Sequence, residues 1–370
     1  MAIQQCKKCI LDSSFPHVQF DTDGICNYCH NFEIMDKKYS ISSETSKKLT
    51  NFFKRCKEKN FHSEYDCILG VSGGRDSSYV LYLLKEKWGL NPLAFHCDIH
   101  MDSKVAANNI KKICTKLDVD LTTFVVDWNE YCDLQRSFFY ASIPAIDTPQ
   151  DHAIFASLYR VAYENGIKTI ISGDSFRTEG PIPKEWSWHH DPIFITDIQK
   201  KLGNISLKKF PLQKFQERIV QRIGGFQSIS PLNFIDYNHK EVDKLLSEEL
   251  GWKYYGGHHF ESIFTRWAFA FYLPKKFGID KRITDLSVLI RSGHITRESA
   301  IKQFDQEFYS FETEKEDRRY IMNKLGFSDE EFEKILHAPI RSNFSYRHLP
   351  PLFYSGIRYT LGPKRIKRLK

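Results

Sequence analysis

The sequence lacks any apolar run that approaches the roughly 20 residues a membrane-spanning helix needs. Its first residues lack the apolar core of a secretory signal peptide, and the chain shows neither an internal repeat nor a low-complexity tract. These absences argue against a membrane, secreted or repeat protein. With 370 residues and a hydrophobic content of 41%, the sequence predicts a globular cytoplasmic protein of two or three units.

Positive charge is scarce outside one short segment. The formal net charge is +7, but the last seven residues, 364–370, contribute five positive charges, so the remainder is near +2. A basic stripe for nucleic acid is therefore missing from the body of the chain. We do not expect nucleic acid as a partner, and we interpret the basic segment as a solvated terminus. A mildly basic body suits a small acidic substrate.

Cysteine is concentrated near the N-terminus. Four of the nine cysteines form two pairs, each with two intervening residues, and sixteen residues separate the pairs. This spacing is typical of a tetrahedral zinc site, and it predicts the metal ligands Cys6, Cys9, Cys26 and Cys29. Four thiolates leave no open coordination position, so the Zn²⁺ is expected to be structural. A redox-active pair is the alternative interpretation.

Strand and helix patterns alternate between residues 65 and 172. Apolar segments 65–71, 92–97, 121–126 and 168–172 predict strands, and helical spacing intervenes. This alternation predicts an α/β fold with a parallel sheet and helices on both faces. We expect a zinc-binding module at 1–39, an α/β domain at 40–200 and a mainly helical region at 201–370.

A glycine turn follows the first predicted strand and precedes a predicted helix. Two glycines let the backbone come close to a ligand, and the amides of the first helical turn favour an anion such as phosphate. The pattern is not the Gly-x-x-x-x-Gly-Lys-Ser/Thr loop of other nucleotide-binding proteins. The candidate ligand-binding residues are Ser72, Gly73, Gly74, Arg75, Asp76 and Ser77.

Polar residues also follow other predicted strands. Asp98 ends the second strand, and Gly173 and Asp174 follow the fourth. Because the carboxyl ends of parallel strands meet at one edge, we expect these residues on the same rim as the glycine turn. Helix capping or an ordinary turn is the competing interpretation for each.

A basic segment lies farther along the chain. Its cations, Arg266, Lys275, Lys276 and Lys281, follow the glycine turn at 256–257. Lys and Arg can neutralise the charge that develops on a leaving pyrophosphate, so this segment is a candidate for closing over phosphates. A solvated basic face is the alternative.

The turn Ser72-Gly73-Gly74-Arg75-Asp76-Ser77 resembles the PP-loop of the ATP pyrophosphatases. Over nearly its full length the chain also resembles the N-acetyl sugar amidotransferases of bacterial surface-polysaccharide and flagellin-sugar biosynthesis, the WbpG-like group. The discriminating block is Asp147-Thr148-Pro149-Gln150-Asp151-His152. The other segments that carry the resemblance are the cysteine pairs, 108–110, 176–179, 261–282 and 289–298.

The resemblance implies a PP-loop fold that binds ATP and Mg²⁺ and cleaves ATP to AMP and pyrophosphate. It implies that a sugar acetamido group becomes an acetamidino group through an adenylated imidate and ammonia, in lipopolysaccharide O-antigen synthesis. On this hypothesis the PP-loop holds the phosphates, while Asp98 and Gly173 line the adenosine side. Asp76, Asp151, His152 and Lys281 are the candidate catalytic residues.

The resemblance also implies partners. The substrate is expected to be a nucleotide sugar or sugar acid. A separate glutaminase subunit, with a cyclase-like companion, is expected to supply ammonia, because this chain shows no glutaminase motif of its own. One rival is a tRNA-thiolation or lysidine-type PP-loop enzyme. The other is a non-catalytic module that binds zinc and ATP.

Overall fold

The computed structural model describes residues 3–59, 63–183, 185–186, 191–257, 259–349, 364–365 and 369. Its centre is a parallel sheet. In chain order the strands are Cys67–Gly70 (β1), Pro92–Asp98 (β2), Leu121–Val125 (β3), Thr169–Ile171 (β4), Gln227–Ile229 (β5) and Lys364–Arg365 (β6). Their spatial order is β3-β2-β1-β4-β5-β6.

The sheet order reverses between β1 and β4. From β1 the chain moves outward to β2 and β3, then returns to place β4 on the other side of β1. In open α/β sheets such a switch point leaves a crevice at the carboxyl ends of the two strands, where ligands bind. The glycine turn that follows β1 lies at this point.

Helices surround the sheet and form most of the second half of the chain. They run over Asn27–Lys38 (α1), Ser43–Lys59 (α2), Arg75–Tyr82 (α3), Lys104–Leu117 (α4), Trp128–Ala141 (α5), Thr148–Glu164 (α6), Pro192–Leu202 (α7), Phe215–Ile223 (α8), His239–Leu250 (α9), Ile263–Trp267 (α10), Leu273–Phe277 (α11), Arg282–Arg291 (α12), Arg297–Asp305 (α13), Phe311–Leu325 (α14) and Asp329–His337 (α15). Wider π-helical turns, Leu83–Lys87 and Ala268–Tyr272, continue α3 and join α10 to α11.

Both faces of the sheet are covered. Successive residues of β1 point to opposite faces, so Ile68 enters one apolar core while Cys67 and Leu69 enter the other. All three are fully buried, as expected for a strand of a parallel sheet. The predicted fold class, a parallel sheet with helices on both faces, is confirmed.

The sheet continues beyond the segment in which the sequence predicted strands. β5 and β6 come from the region for which we expected mainly helices, although helices do dominate there. Both strands are short and mostly polar in sequence, so neither contains the apolar run that predicted β4, and these two were missed. None of the described helices combines the length and apolar character that crossing a membrane requires.

Candidate functional site

Residues 72–77, whose sequence resembles a PP-loop and for which we keep that name, connect the end of β1 to the N-terminus of α3. Gly74 is the N-cap of α3, so the amides of the following turn are directed into the loop. The Ser72 hydroxyl accepts the Gly74 amide at 3.2 Å and lies 3.4 Å from the Ser77 hydroxyl. Amides and hydroxyls are thereby gathered around one small space, which is an arrangement that favours a phosphate.

Gly73 holds the loop in its shape. Its φ of +76° is in the left-handed region, and a Cβ there would lie 2.3 Å from the carbonyl oxygen of Ala106 in α4. Its own carbonyl accepts hydrogen bonds from the Trp252 indole at 2.9 Å and from the Asn109 amide at 3.1 Å. Both the backbone conformation and the close approach of α4 therefore require glycine here.

Residues that follow β4 and β5 meet the loop at the same rim. A Cβ on Gly173 would lie 3.0 Å from the Ser77 nitrogen, so a bare backbone is needed where β4 passes α3. Asp174 accepts a hydrogen bond from Ser230, which follows β5, at 2.8 Å. Asp98 ends the neighbouring strand β2 and accepts the His100 amide at 2.7 Å. The structure brings these predicted residues to one edge.

The side chains of Arg75 and Asp76 have protein partners. The Arg75 guanidinium donates to both carboxylate oxygens of Asp243 in α9, at 2.5 and 2.7 Å. The Asp76 carboxylate accepts a short hydrogen bond from the Tyr237 hydroxyl. Burial, followed by the charge of Asp76, raises the pKa of Tyr237, so this hydroxyl remains a donor. The backbone amide of Arg75 donates to the Tyr255 hydroxyl at 3.3 Å.

A carboxylate from the C-terminal half, Glu261, reaches into the PP-loop. It accepts the Ser72 hydroxyl at 3.2 Å, and a Cβ on Gly74 would lie 2.2 Å from its Oε1. Its backbone is fixed because the carbonyl of Glu261 accepts the Ser103 amide at 2.7 Å and the Ile263 amide donates to Met101 at 2.8 Å. Sequence analysis did not single out Glu261, since nothing local marks a glutamate for a loop 189 residues away.

The predicted acid/base pair lies on α6. His152 is buried, and its Nε2 accepts the backbone amide of Gln213 at 3.1 Å while its ring stacks on Phe210. Asp151 is half-buried on the same helix. The structure thus gives His152 a backbone partner from the segment before α8, and a catalytic role for either residue stays a prediction.

The sequence block 147–152, which contains Asp151 and His152, packs on the C-terminal region. Gln150 donates to the Thr265 hydroxyl at 2.9 Å, and Asp147 pairs with Lys281 at 3.3 Å. Both side chains of that ion pair are 6% exposed, and the Lys281 ammonium also lies 3.4 Å from the centre of the Phe269 ring. Lys281 is therefore placed where it joins two segments that carry the family resemblance.

The other predicted phosphate-binding cations are engaged differently. The Lys276 ammonium donates to the carbonyls of Ile335 and Ala338, at 2.5 and 2.9 Å, at the C-terminal end of α15. Burial lowers the pKa of this lysine. Arg266 binds Asp317 through two hydrogen bonds, at 2.8 and 2.7 Å. Lys275 is exposed on α11. The structure does not bring these three cations together as a phosphate clamp.

A cavity of about 400 Å³ lies beside the loop. It is lined by residues from two segments and from α10: Tyr255, Gly256, Phe260, Arg266, Glu307, Phe308, Tyr309, Ser310 and Thr313. Burial, followed by the charge of Glu261, raises the pKa of the Tyr255 hydroxyl. Tyr255 also accepts the Arg75 amide, so it belongs to both the cavity and the PP-loop.

The four cysteines of the N-terminal module converge. All four are buried, and their sulfurs lie within 4.8 Å of one another, with individual separations of 3.6, 3.7 and 3.9 Å. A tetrahedron with metal–sulfur bonds of about 2.3 Å places its sulfurs about 3.8 Å apart. The cluster therefore fits one tetrahedral ion and could hold zinc, as the spacing predicts.

Positive charge from α12 faces the cysteines. Arg291 donates to the sulfurs of Cys9 and Cys29, at 3.3 and 3.4 Å. Hydrogen bonds from Cys26 and Cys29 lower the pKa of the Cys9 thiol, and the Arg291 charge acts in the same direction. An arginine at this position balances part of the excess negative charge of a four-thiolate site.

Comparisons with known proteins find a family match within the second half of the chain. Residues 261–355 match the family described as LPS biosynthesis protein WbpG-like, C-terminal domain. An uncharacterized protein, MJ1599 of Methanocaldococcus jannaschii, is 26% identical over 249 residues, which is 66% of this chain and 73% of that protein.

Solved structures resemble the chain only weakly. NMN synthetase from Francisella tularensis aligns with a TM-score of 0.34 at 16% identity, covering 76% of this chain and 92% of that chain. The U34-tRNA thiolase NcsA from Methanococcus maripaludis, with its [4Fe-4S] cluster, aligns with a TM-score of 0.32 at 14% identity, covering 87% and 89%. The resemblance to the WbpG-like group is therefore supported by residues 261–355, which match its C-terminal domain.

Proposed function

We propose that this protein is an ATP-dependent amidotransferase that converts a sugar acetamido group to an acetamidino group. The amide oxygen attacks the α-phosphorus of ATP, and pyrophosphate leaves. Ammonia then adds to the activated carbon, and AMP departs with the former amide oxygen. The sum is acetamido sugar, ATP and ammonia giving acetamidino sugar, AMP and pyrophosphate. Activation is needed because an amide oxygen is a poor leaving group, whereas AMP is a good one.

The observation that carries this proposal is the contact between Glu261 and the PP-loop. Glu261 is the first residue of the WbpG-like segment, and its carboxylate accepts the Ser72 hydroxyl at 3.2 Å. The family-specific region and the phosphate-binding loop therefore share one site. The buried pair of Lys281 with Asp147 joins the same region to the discriminating sequence block. A site shared in this way supports coupling ATP cleavage to a substrate held by the WbpG-like region.

The loop residues fit the phosphates of ATP. The amides after Gly74 and the hydroxyls of Ser72 and Ser77 would hold them, and Asp76 would face a Mg²⁺ that accompanies them. Bound Mg²⁺ supplies charge neutralisation for the leaving pyrophosphate. The protein contributes a fixed loop, since Gly73 is held by Trp252 and by the close approach of α4.

The decisive experiment labels the acetamido oxygen. A panel of UDP- and CMP-linked diacetamido sugars with ¹⁸O in the acetamido carbonyl is incubated with ATP, Mg²⁺ and ammonium chloride. The proposal predicts AMP that carries the heavy oxygen and a sugar about one mass unit lighter than the unlabelled substrate. ADP as product, or unlabelled AMP, would overturn it. AMP that forms only when tRNA is added would favour the tRNA-modifying alternative.

Ammonia is proposed to come from a separate glutaminase subunit, with its cyclase-like companion. Purified protein should therefore use ammonium salts and remain inactive with glutamine alone. Glutamine-dependent AMP formation by the isolated chain would refute this part of the proposal and leave the amidotransferase reaction itself in place.

A further inference from the structure

The cavity beside the PP-loop has the dimensions and composition of a small-molecule site. Its volume of about 400 Å³ falls within the range of ligand pockets in proteins, about 300–1,000 Å³. Most of its lining comes from the WbpG-like segment, since Arg266, residues 307–310 and Thr313 lie inside residues 261–355. The ATP-binding proposal leaves this space unassigned.

The cavity adjoins the reactive end of the loop. The Tyr255 hydroxyl accepts the amide of Arg75 at 3.3 Å, so one wall touches the first turn of α3. Phe260, in another wall, immediately precedes Glu261, whose carboxylate contacts Ser72. A molecule held in the cavity would lie next to the phosphates, as two reacting substrates must.

The lining favours a neutral, partly apolar ring over a phosphate. Four aromatic side chains, Tyr255, Phe260, Phe308 and Tyr309, offer faces to C–H groups and methyl groups. Among the described lining residues the only cation is Arg266, which Asp317 holds through two hydrogen bonds, and Glu307 adds negative charge. Local charge therefore disfavours an anion.

Polar groups at the edge of the cavity suit hydroxyls. The Ser310 and Thr313 hydroxyls lie 3.0 Å apart, and the Glu307 carboxylate can accept from a ligand hydroxyl. Aromatic faces combined with a few hydroxyl and carboxylate groups match a pyranose ring that carries an acetamido methyl group.

We propose that this cavity binds the acetamido-bearing ring of the sugar substrate. The inference rests on the proposed function for the identity of the ligand, and it assigns the recognition residues that the sequence did not. It also replaces the sequence-based expectation for Arg266, which here helps to shape a sugar pocket and does not contact phosphate.

The test compares two phenylalanines of the same region. Phe308 lines the cavity and is 41% exposed, whereas Phe311 is 67% exposed and lies outside the lining. Saturation-transfer NMR on the acetamido methyl protons of N-acetylglucosamine and of UDP-linked diacetamido sugars measures binding without turnover. We expect Phe308→Ala to weaken binding about tenfold, while Phe311→Ala leaves it unchanged. ATP affinity, unchanged in both variants, reports intact folding.

The outcomes separate this inference from the proposed function. Equal sugar affinity of Phe308→Ala and the unaltered protein, or no binding of any acetamido sugar to the unaltered protein, would overturn the cavity assignment. Sugar binding that Phe308→Ala weakens, without sugar-dependent AMP, would support the cavity and refute the amidotransferase. Sugar-dependent AMP formation with an unchanged KM for the sugar in Phe308→Ala would support the amidotransferase and refute the cavity assignment.

Discussion

The Glu261 carboxylate lies in the loop where we propose that the phosphates of ATP bind. Its Oε1 would be 2.2 Å from a Cβ on Gly74, and it accepts the Ser72 hydroxyl at 3.2 Å. A bound phosphate must displace this carboxylate, tolerate its charge or share a cation with it. We therefore expect Glu261→Gln, which keeps the shape and removes the charge, to bind pyrophosphate more tightly when Mg²⁺ is absent.

The size of the effect follows from Coulomb's law. Two unit charges about 4 Å apart interact with about 4 kcal/mol at an effective dielectric constant near 20. That value is a ceiling, because Glu261 is half-buried and its side chain can turn toward solvent when an anion arrives. A gain of about 1.4 kcal/mol, or about tenfold in Kd, is the expected result.

Isothermal titration of pyrophosphate in EDTA measures this directly. The matched control is Glu312→Gln, which removes the same charge from an exposed position on α14 and should leave the affinity unchanged. If Glu261→Gln binds pyrophosphate equally or more weakly, the carboxylate does not oppose the anion. The WbpG-like region and the loop would then not form one electrostatic site.

Three further results are expected. The purified protein should contain one zinc per chain by mass spectrometry, and Cys29→Ala should lose that zinc and lower the melting temperature, because each thiolate completes the tetrahedron. Lys281→Met should cost about 3–5 kcal/mol in the free energy of unfolding, since it removes the cation beside the buried Asp147, and adding Asp147→Asn should restore part of that loss; no destabilisation by the single variant would contradict a structural role. Burial is the largest single influence on the pKa of His96 in β2 and lowers it, but the hydrogen bond to Asp102, the charges of Asp102 and Asp98 and the Val71 carbonyl together raise the pKa above the ordinary 6.5. The stability that this raised pKa contributes is complete below pH 6.5 and is lost as pH rises through the folded-state value. The stability difference between the unaltered protein and His96→Gln should shrink over that rise, and a difference that grows with pH would refute the assignment.

Local patterns in the sequence were sufficient for the fold class, for strands β1–β4 and for two clusters of side chains. The strand, glycine turn and helix around Ser72–Ser77 are encoded by neighbouring residues, so they can be read without tertiary information. The cysteine spacing likewise reflects a knuckle geometry that is local to each pair.

The other side chains of the site have partners that are distant in sequence, and these partners could not be predicted from local patterns. Lys276 and Arg266 have the charge of phosphate ligands. In the structure, however, Lys276 donates to carbonyls at the end of α15, and Arg266 donates to the Asp317 carboxylate. Arg75 likewise forms an ion pair with Asp243. Nothing near these cations in sequence reveals those partners, and Glu261 was missed for the same reason.

The contact between Arg291 and the cysteine cluster spans 262 residues of chain. At synthesis rates of about 5–20 residues per second, the thiolates would leave the ribosome roughly 13–50 seconds before the arginine that faces them. During that interval the cysteines can acquire metal or be oxidised without their neighbouring cation and without the helix that covers them. The metal available during translation would then matter as well as the affinity of the folded site for metal. Both would determine the fraction of the protein that folds with its N-terminal module packed on α12.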